Sequence, residues 1–332
     1  MKIRHRKLKT KDEDISEADP KFRIKKSYPG KRYFVVVVLL GILFLGYIAI
    51  AYDLYDLKPI HFGSKAIDTL AFSFNLQKPF YVVVIDAGST GSRALAFSFH
   101  ESILDNNLVL DDELYTETKP GVSAYAERPK EAAKSLTILL DRVKEVVPQS
   151  EWQHTPLSMK ATAGLRLLPG HKAQEILQEC RKMFEESGFQ ISKNSISIMD
   201  GTDEGIFSWF TVNFLLERFN THSPGNTVAA LDLGGGSTQV TFSPNAMQVS
   251  LVDPFSGGII QVSAFLKQAM DACDYPNTEQ PFTCLDLTFI YILLRDGFGL
   301  DPTTKLYLYK KINGHELSWA LGAAFNIIQN GL

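Results

Sequence analysis

Apolar residues come in short β-branched runs and in longer stretches spaced three and four apart, and the two kinds alternate along the chain. The runs predict strands over 80–85, 94–99, 157–162 and 195–199. The spaced stretches predict helices over 128–147, 172–187 and 206–219. Ala132, Leu136, Leu139, Leu140 and Val143 mark the inner face of the first, and Pro148 ends it. A further strand pair flanks residue 235, closing with 240–242. Beyond Phe242 the pattern thins to strands over 247–252, 259–262 and 306–312 and helices over 263–273, 285–296 and 317–329. This alternation predicts an α/β fold. One run departs from both spacings. Tyr33 to Tyr52 is an uncharged stretch of 20 residues rich in Val, Leu and Ile, the length of one helical bilayer crossing. Lys31 and Arg32 abut it, with Lys25 and Lys26 upstream, so the positive-inside bias predicts a single-pass anchor with a cytosolic N-terminus. A cleaved signal peptide is the other reading; the polar lead of 32 residues and the full-length span favour the anchor. Residues 53–79 lack a clear period and read as a stem, where cleavage would release a soluble form.

Two of the predicted strands end alike. One reads Val82-Val83-Val84-Ile85-Asp86-Ala87-Gly88-Ser89-Thr90-Gly91-Ser92-Arg93, the other Val228-Ala229-Ala230-Leu231-Asp232-Leu233-Gly234-Gly235-Gly236-Ser237-Thr238-Gln239. In each, an apolar strand reaches an Asp and then a Gly/Ser/Thr turn, after which a second strand follows. Such a hairpin tip has small side chains and open backbone N–H groups. It can wrap a phosphate, and the Asp at its entrance can hold a metal ion. Two copies predict facing lobes that clamp one polyphosphate.

Charge sharpens the division. The formal net charge is −3, yet residues 1–32 carry twelve Lys/Arg against five Asp/Glu, so everything after them is acidic. An acidic body argues against a nucleic-acid groove. Of three cysteines, Cys273 and Cys284 bracket a polar stretch with two prolines and can close a small loop in an oxidising compartment, while Cys180 falls in a helical pattern and reads as a packed thiol. No Gly-x-x-x-x-Gly-Lys-Ser/Thr occurs, which excludes a P-loop.

Cleaving a phosphoanhydride requires donors for the phosphates, a hydrated divalent cation and a base that aligns water. Gly88, Ser89, Thr90 and Gly91, with Gly234, Gly235, Gly236 and Ser237, are the candidate phosphate-binding residues. Asp86 and Asp232 are candidate cation ligands, acting through the ion's waters. Thr162, at another strand end, is a candidate for fixing a metal-bound water. Glu204 follows a strand and the tight turn Asp200-Gly201-Thr202-Asp203 and is the best candidate for the base. Ser237 and Gln239 can hydrogen-bond the attacking water.

Taken in order, these strand-end motifs resemble the ecto-nucleoside triphosphate diphosphohydrolase family, also called the apyrase or GDA1/CD39 family. Its five conserved regions correspond to residues 85–93, 160–169, 198–209, 230–241 and 315–325. The wording of Ser197 to Ile206 and Val212-Asn213-Phe214-Leu215 is most similar to the animal Golgi and secreted nucleoside diphosphatases of that family. The resemblance implies an actin-like fold of two ribonuclease-H-like lobes and a requirement for Ca²⁺ or Mg²⁺. It also implies hydrolysis of UDP, GDP and related nucleoside di- or triphosphates in the secretory-pathway lumen. It assigns Glu204 as base, Ser237 and Gln239 to the water, and Asp86 and Asp232 to the metal. Trp319, in the fifth region, is expected to pack. On this basis residues 1–32 are a cytosolic tail, 33–52 the span, 53–79 the stem, 80–199 with 314–332 the first lobe, and 200–313 the second. That second lobe is shortened: 243–252 stands where the family has on the order of a hundred residues, a sizeable part of a domain. The family's missing stretch normally supplies central structure, aromatic residues that stack on the base and another disulfide. An inactive product that keeps the phosphate turns is therefore the alternative. An actin- or Hsp70-like nucleotide-binding module, or a sugar kinase, also uses paired Asp-Gly hairpins. The anchor, the Asp200-to-Gly205 pattern and the lack of a sugar-binding motif point away from it.

Overall fold

The computed structural model describes residues 37–47, 67–74, 76–103, 107–220, 227–243, 258–275 and 277–332. Asp68–Leu332 is one compact unit and Met1–Ile67 another. In the latter, 37–47 is helical (α1) and exposed; the rest of the 33–52 run lies outside the described residues. Among the described residues no helix is long and apolar enough to cross a membrane.

The larger unit is built on a five-stranded sheet in the order β3-β2-β1-β4-β5. β1 (Phe80–Ala87) and β2 (Ser92–Glu101) form the first hairpin, with Ala87 opposite Ser92. β3 (Leu108–Thr118) pairs antiparallel to β2, whereas β4 (Leu157–Ala161) and β5 (Ile196–Ile198) continue parallel on the other side of β1. β1 is apolar at every position from Val82 to Ile85 because both faces of the sheet are covered. Val83 and Ile85 join a core with Leu139, Met159, Ile176 and Phe184, contributed in part by helices α4 (Thr137–Val146) and α6 (Gly170–Glu185). Val82 and Val84 face a second core with Leu95, Phe97 and Phe99 under α10 (Trp319–Asn330). Trp319 is buried in that second core, as expected of a packing residue. Cys180 is buried in the first.

α7 (Gly201–Leu215) starts earlier than the predicted 206, because the Asp200 carboxylate caps it by accepting from the Thr202 N–H at 2.7 Å. This puts Glu204 in the first turn of the helix. α7 packs along α10 on one side and against the second hairpin, β6 (Ala230–Leu233) and β7 (Thr238–Thr241), on the other. That hairpin is a sheet of only two strands, and Leu231, Leu233, Val240 and Phe242 are exposed. Nearby in sequence, β8 (Gly258–Gln261) pairs with β9 (Lys305–Leu308). Helices α8 (Val262–Asp274) and α9 (Thr283–Ile292) are joined by the Cys273–Cys284 disulfide. Their small core holds Val262, Tyr291 and Leu294. The strand predicted over 247–252 lies outside the described residues.

Three expectations are revised. The helix over 128–147 divides into α3 (Pro129–Ser135) and α4, with buried Leu136 between them. The strand over 306–312 divides too: its start pairs with β8, whereas β10 (Lys311–Ile312) pairs with β11 (His315–Glu316). The stem contains a helix over 67–73 (α2), held from outside rather than by its own apolar face. Asp68 Oδ2 lies 2.8 Å from Nε2 of buried His100, whose Nδ1 lies 2.6 Å from Asp111 Oδ1. Asp68 Oδ1 accepts from the Gln77 side chain and the Ile103 N–H, and the Phe72 ring stacks on His100 at 4.6 Å. This clasp sits at the end of β2 remote from the first glycine turn.

Candidate active site

The two glycine-rich turns meet. A Cβ placed on Gly235 would lie 2.7 Å from Thr90 Cγ2 and 3.0 Å from Ser89 Oγ, so only glycine permits this approach. The Gly234 N–H donates to Ser237 O at 2.9 Å and closes the second turn. Around the contact lies a cavity of about 260 Å³. Of the residues singled out from sequence, Asp86, Gly88, Ser89, Thr90, Thr162, Glu204, Asp232, Gly234, Gly235, Gly236 and Ser237 line it. Gly91 and Gln239 do not. Gln239 stands behind Ser237, its Nε2 donating to Ser237 Oγ at 3.0 Å. Gln239 pairs directly across from Asp232 in the hairpin, so the two side chains leave the same face of the ribbon, and Gln239 turns to Ser237 rather than to the cavity.

Each acidic side chain has one fixed oxygen. Asp86 Oδ2 accepts from Arg93 Nη1 at 3.0 Å, Asp232 Oδ2 from Ser208 Oγ at 2.8 Å, and Glu204 Oε2 from Arg166 Nη2 at 3.0 Å. Asp86 Oδ1 and Gln239 Oε1 are buried with no hydrogen-bond partner among the described residues. Burial pushes the Asp86 carboxyl up to about 6; the Arg93 guanidinium opposes this, and the charges of Glu204 and Asp232 add to it. Glu204 is also raised, by burial first, against the Arg166 hydrogen bond and charge, with Asp232 adding. Four carboxylates, these three and that of Glu316, thus line the cleft against the guanidinium of Arg93.

Among the described residues, no group of three or more His, Cys, Asp or Glu side chains comes together closely enough to hold an ion by itself. A hydrated divalent cation asks for less: one or two carboxylates suffice when waters and phosphate oxygens complete its shell. The unpartnered Asp86 oxygen and the mutual repulsion across the cavity fit such an ion, with Asp86 and Asp232 as ligands and Thr162 beside them.

Two cations were not singled out from the sequence. Arg93 closes the first quoted turn, and Arg166 lies in the stretch 160–169. Arg93 was readable as the residue closing a contiguous motif that holds Asp86, whereas Arg166 lies 38 residues from Glu204 and only the fold brings the two together. Tyr115, Leu317 and Ser318 also line the cavity, brought there by β3 and the approach to α10, and Trp319, expected only to pack, reaches the cavity wall as well as the second core.

Known proteins share this arrangement of sequence. The model of the GDA1/CD39 (nucleoside phosphatase) family matches residues 75–256 and 261–331. Human nucleoside diphosphate phosphatase ENTPD5 is 30% identical over 378 aligned positions, covering 75% of this chain and 88% of that protein. Nucleoside-diphosphatase uda-1 of Caenorhabditis elegans is 30% identical over 389 positions, 74% of this chain and 81% of the relative. Human ectonucleoside triphosphate diphosphohydrolase 6 is 44% identical over 182 residues, 55% of this chain and 37% of that protein. The ENTPD5 alignment is longer than this 332-residue chain although only part of the chain takes part, so the relative has residues within the aligned region that face none here. Among solved structures, a Ppx/GppA family member from Aquifex aeolicus superposes with a TM-score of 0.46 at 14% identity, covering 77% of this chain and 100% of that one. That likeness is slight, and the site is read from this chain's own residues. The chain belongs to the GDA1/CD39 family, the nucleoside phosphatases, and is a phosphohydrolase of that class.

Proposed function

We propose that the chain hydrolyses the terminal phosphoanhydride of UDP- or GDP-type nucleotides, giving the nucleoside monophosphate and inorganic phosphate. The observation that carries this is the apposition of the two turns around a cavity that also holds Glu204. The names of ENTPD5 and uda-1, both diphosphatases, support the choice of a diphosphate. Amides of the turns at 88–91 and 234–237 donate to phosphate oxygens and orient the phosphorus. Oε1 of Glu204 takes a proton from water as the water oxygen bonds to the terminal phosphorus. The bridging P–O bond then breaks toward the nucleoside monophosphate. Ser237 holds the water in line, and Gln239, expected to touch the water too, supports it by donating to Ser237 Oγ from behind. A Ca²⁺ or Mg²⁺ ion held by Asp86, Asp232 and Thr162 would screen the charge on the phosphates.

Within Asp68–Leu332, residues 80–199 with 314–332 are read as the first lobe of an actin-like fold and 200–313 as a shortened second lobe. α7 joins the two, packing on α10 and lending Leu215 to the second core on one side and meeting the second hairpin on the other. The uncharged run 33–52 with its basic flank supports a single-pass anchor holding the catalytic region in the secretory-pathway lumen, the Golgi being the expected station. Protease treatment of intact microsomes should digest the basic tail and spare the C-terminal region. Digestion of that region without detergent would reverse the orientation.

The decisive assay is phosphate release from UDP with Mg²⁺ or Ca²⁺ by the full chain. Glu204→Gln should lower the rate by about 10²–10⁴-fold, the usual contribution of a general base. A wild-type rate equal to that of Glu204→Gln would overturn the catalytic reading. It would favour the second one, a chain that retains the phosphate turns without turnover, for which the absent internal stretch is the motive.

A further inference from the structure

Arg166 follows β4 at the end of the helical turn α5 (Ala163–Arg166) and is not in contact with the cavity. Its guanidinium nevertheless ties together three segments distant in sequence. Nη1 donates to Met199 O at 2.7 Å, and Nη2 to Glu204 Oε2 at 3.0 Å and Ser237 Oγ at 3.2 Å. Met199 lies just ahead of α7, Glu204 in its first turn, and Ser237 on the second glycine turn. The planar donor fork suits this task as an ammonium does not.

The bonds also set polarity. Ser237 Oγ accepts from Arg166 Nη2 and from Gln239 Nε2, so both of its lone pairs are taken. Its own O–H is left to donate. Glu204 Oε2 is likewise taken, leaving Oε1 as the acceptor. We propose that Arg166 is a positioning residue that fixes one outward donor, the Ser237 hydroxyl, beside one outward acceptor, Glu204 Oε1, so that a water is held in a single orientation. The assignment rests on the reading of Glu204 as base. Asp86 and Asp232 line the same cavity, and Arg166 is the cation bonded to Glu204.

The test is steady-state hydrolysis of UDP by the full chain carrying Arg166→Ala, Arg166→Lys, Ser237→Ala, and the Ala/Ala pair. Arg166→Ala should lower kcat by about thirtyfold with KM changed by less than about threefold, as expected for loss of alignment rather than of substrate contact. Arg166→Lys should recover about fivefold or more, because the ammonium still pairs with Glu204. The acid limb of the kcat profile should move to higher pH in Arg166→Ala and stay in Arg166→Lys. Arg166→Ala and Ser237→Ala should combine to much less than the product of their effects. Multiplicative losses, a kcat within about threefold of wild type, or equal loss in the Lys and Ala variants with an unmoved acid limb would overturn the proposal. A wild-type chain no faster than Glu204→Gln would defeat the base assignment instead. Carbodiimide labelling of Glu204 across pH, read by mass spectrometry, then decides for Arg166. A labelling midpoint raised in Arg166→Ala supports the contact as a determinant of the carboxylate, and an unchanged midpoint rejects it.

Discussion

Asp86 is where burial and function oppose each other most plainly. Its carboxyl is desolvated, Arg93 answers only one oxygen, and the group is held near a pKa of about 6. A carboxyl raised on folding lends stability while protonated and loses it as pH rises through the folded value. In cation-free buffer, wild type should therefore lose up to about 3 kcal/mol relative to Asp86→Asn between pH 4 and 7. Urea denaturation of the two proteins measures the difference. Adding Mg²⁺ or Ca²⁺ at pH 7 should recover much of it for wild type and little for the Asn variant. A difference that does not vary with pH would mean that Asp86 is better compensated than its neighbours imply. Arg166 illustrates why some of the site escapes sequence reasoning. Asp86, Asp232 and the glycines are readable because each motif is contiguous, so residue type and turn chemistry appear together. The acceptors of Arg166 lie 33, 38 and 71 residues away, and only the fold unites them.

The α7–α10 pair holds the candidate base against the sheet. Its closest point is Gly322, where a Cβ would come 2.5 Å from Phe207 O and 2.8 Å from Phe207 Cα. Backbone cannot step aside cheaply, so Gly322→Ala should destabilise the unit by about 1–3 kcal/mol, as overpacking does. Its catalytic loss should exceed that of an equally destabilising change in α6, because α7 carries Glu204. Thermal melts and kcat on both variants would separate these effects, and an unaltered melting temperature for Gly322→Ala would contradict the packing. Elements with continuous apolar runs and glycine turns, such as β1 and the second hairpin, were legible in the sequence. β3 was not, since Asp111, Asp112 and Glu113 interrupt its alternation. The fold gives each of those acids a partner, with His100 beside Asp111, the Glu113 N–H donating to Asp112 and the Glu316 N–H donating to Glu113. α2 was hidden for the same kind of reason: its hold on the sheet is a polar clasp formed across 32 residues with His100.

The molecule as a whole is unevenly built. One half has a five-stranded sheet covered on both faces; the other has two-stranded sheets with apolar side chains facing outward. The alignment to ENTPD5, longer than this chain, is consistent with residues present there and lacking here. By family resemblance the missing stretch supplies the aromatic residues that stack on the base, while the phosphate turns lie outside it. Recognition should then fall mainly on the phosphates. UDP, GDP and other diphosphates should differ by no more than about tenfold in kcat/KM, since discrimination needs contacts that one substrate makes and another lacks. A strong preference for one base would show that the described half-site reads the nucleoside by other means. The His100 clasp has a further, mechanical consequence. β2 runs from Ser92 at the first turn to Glu101 at the clasp, a span of about 30 Å at the usual rise per residue. Tension on the segment leading to Asp68 therefore enters the sheet at the end remote from the cavity. A membrane anchor of the kind proposed would load the sheet there, and the paired turns at the other end would keep their alignment.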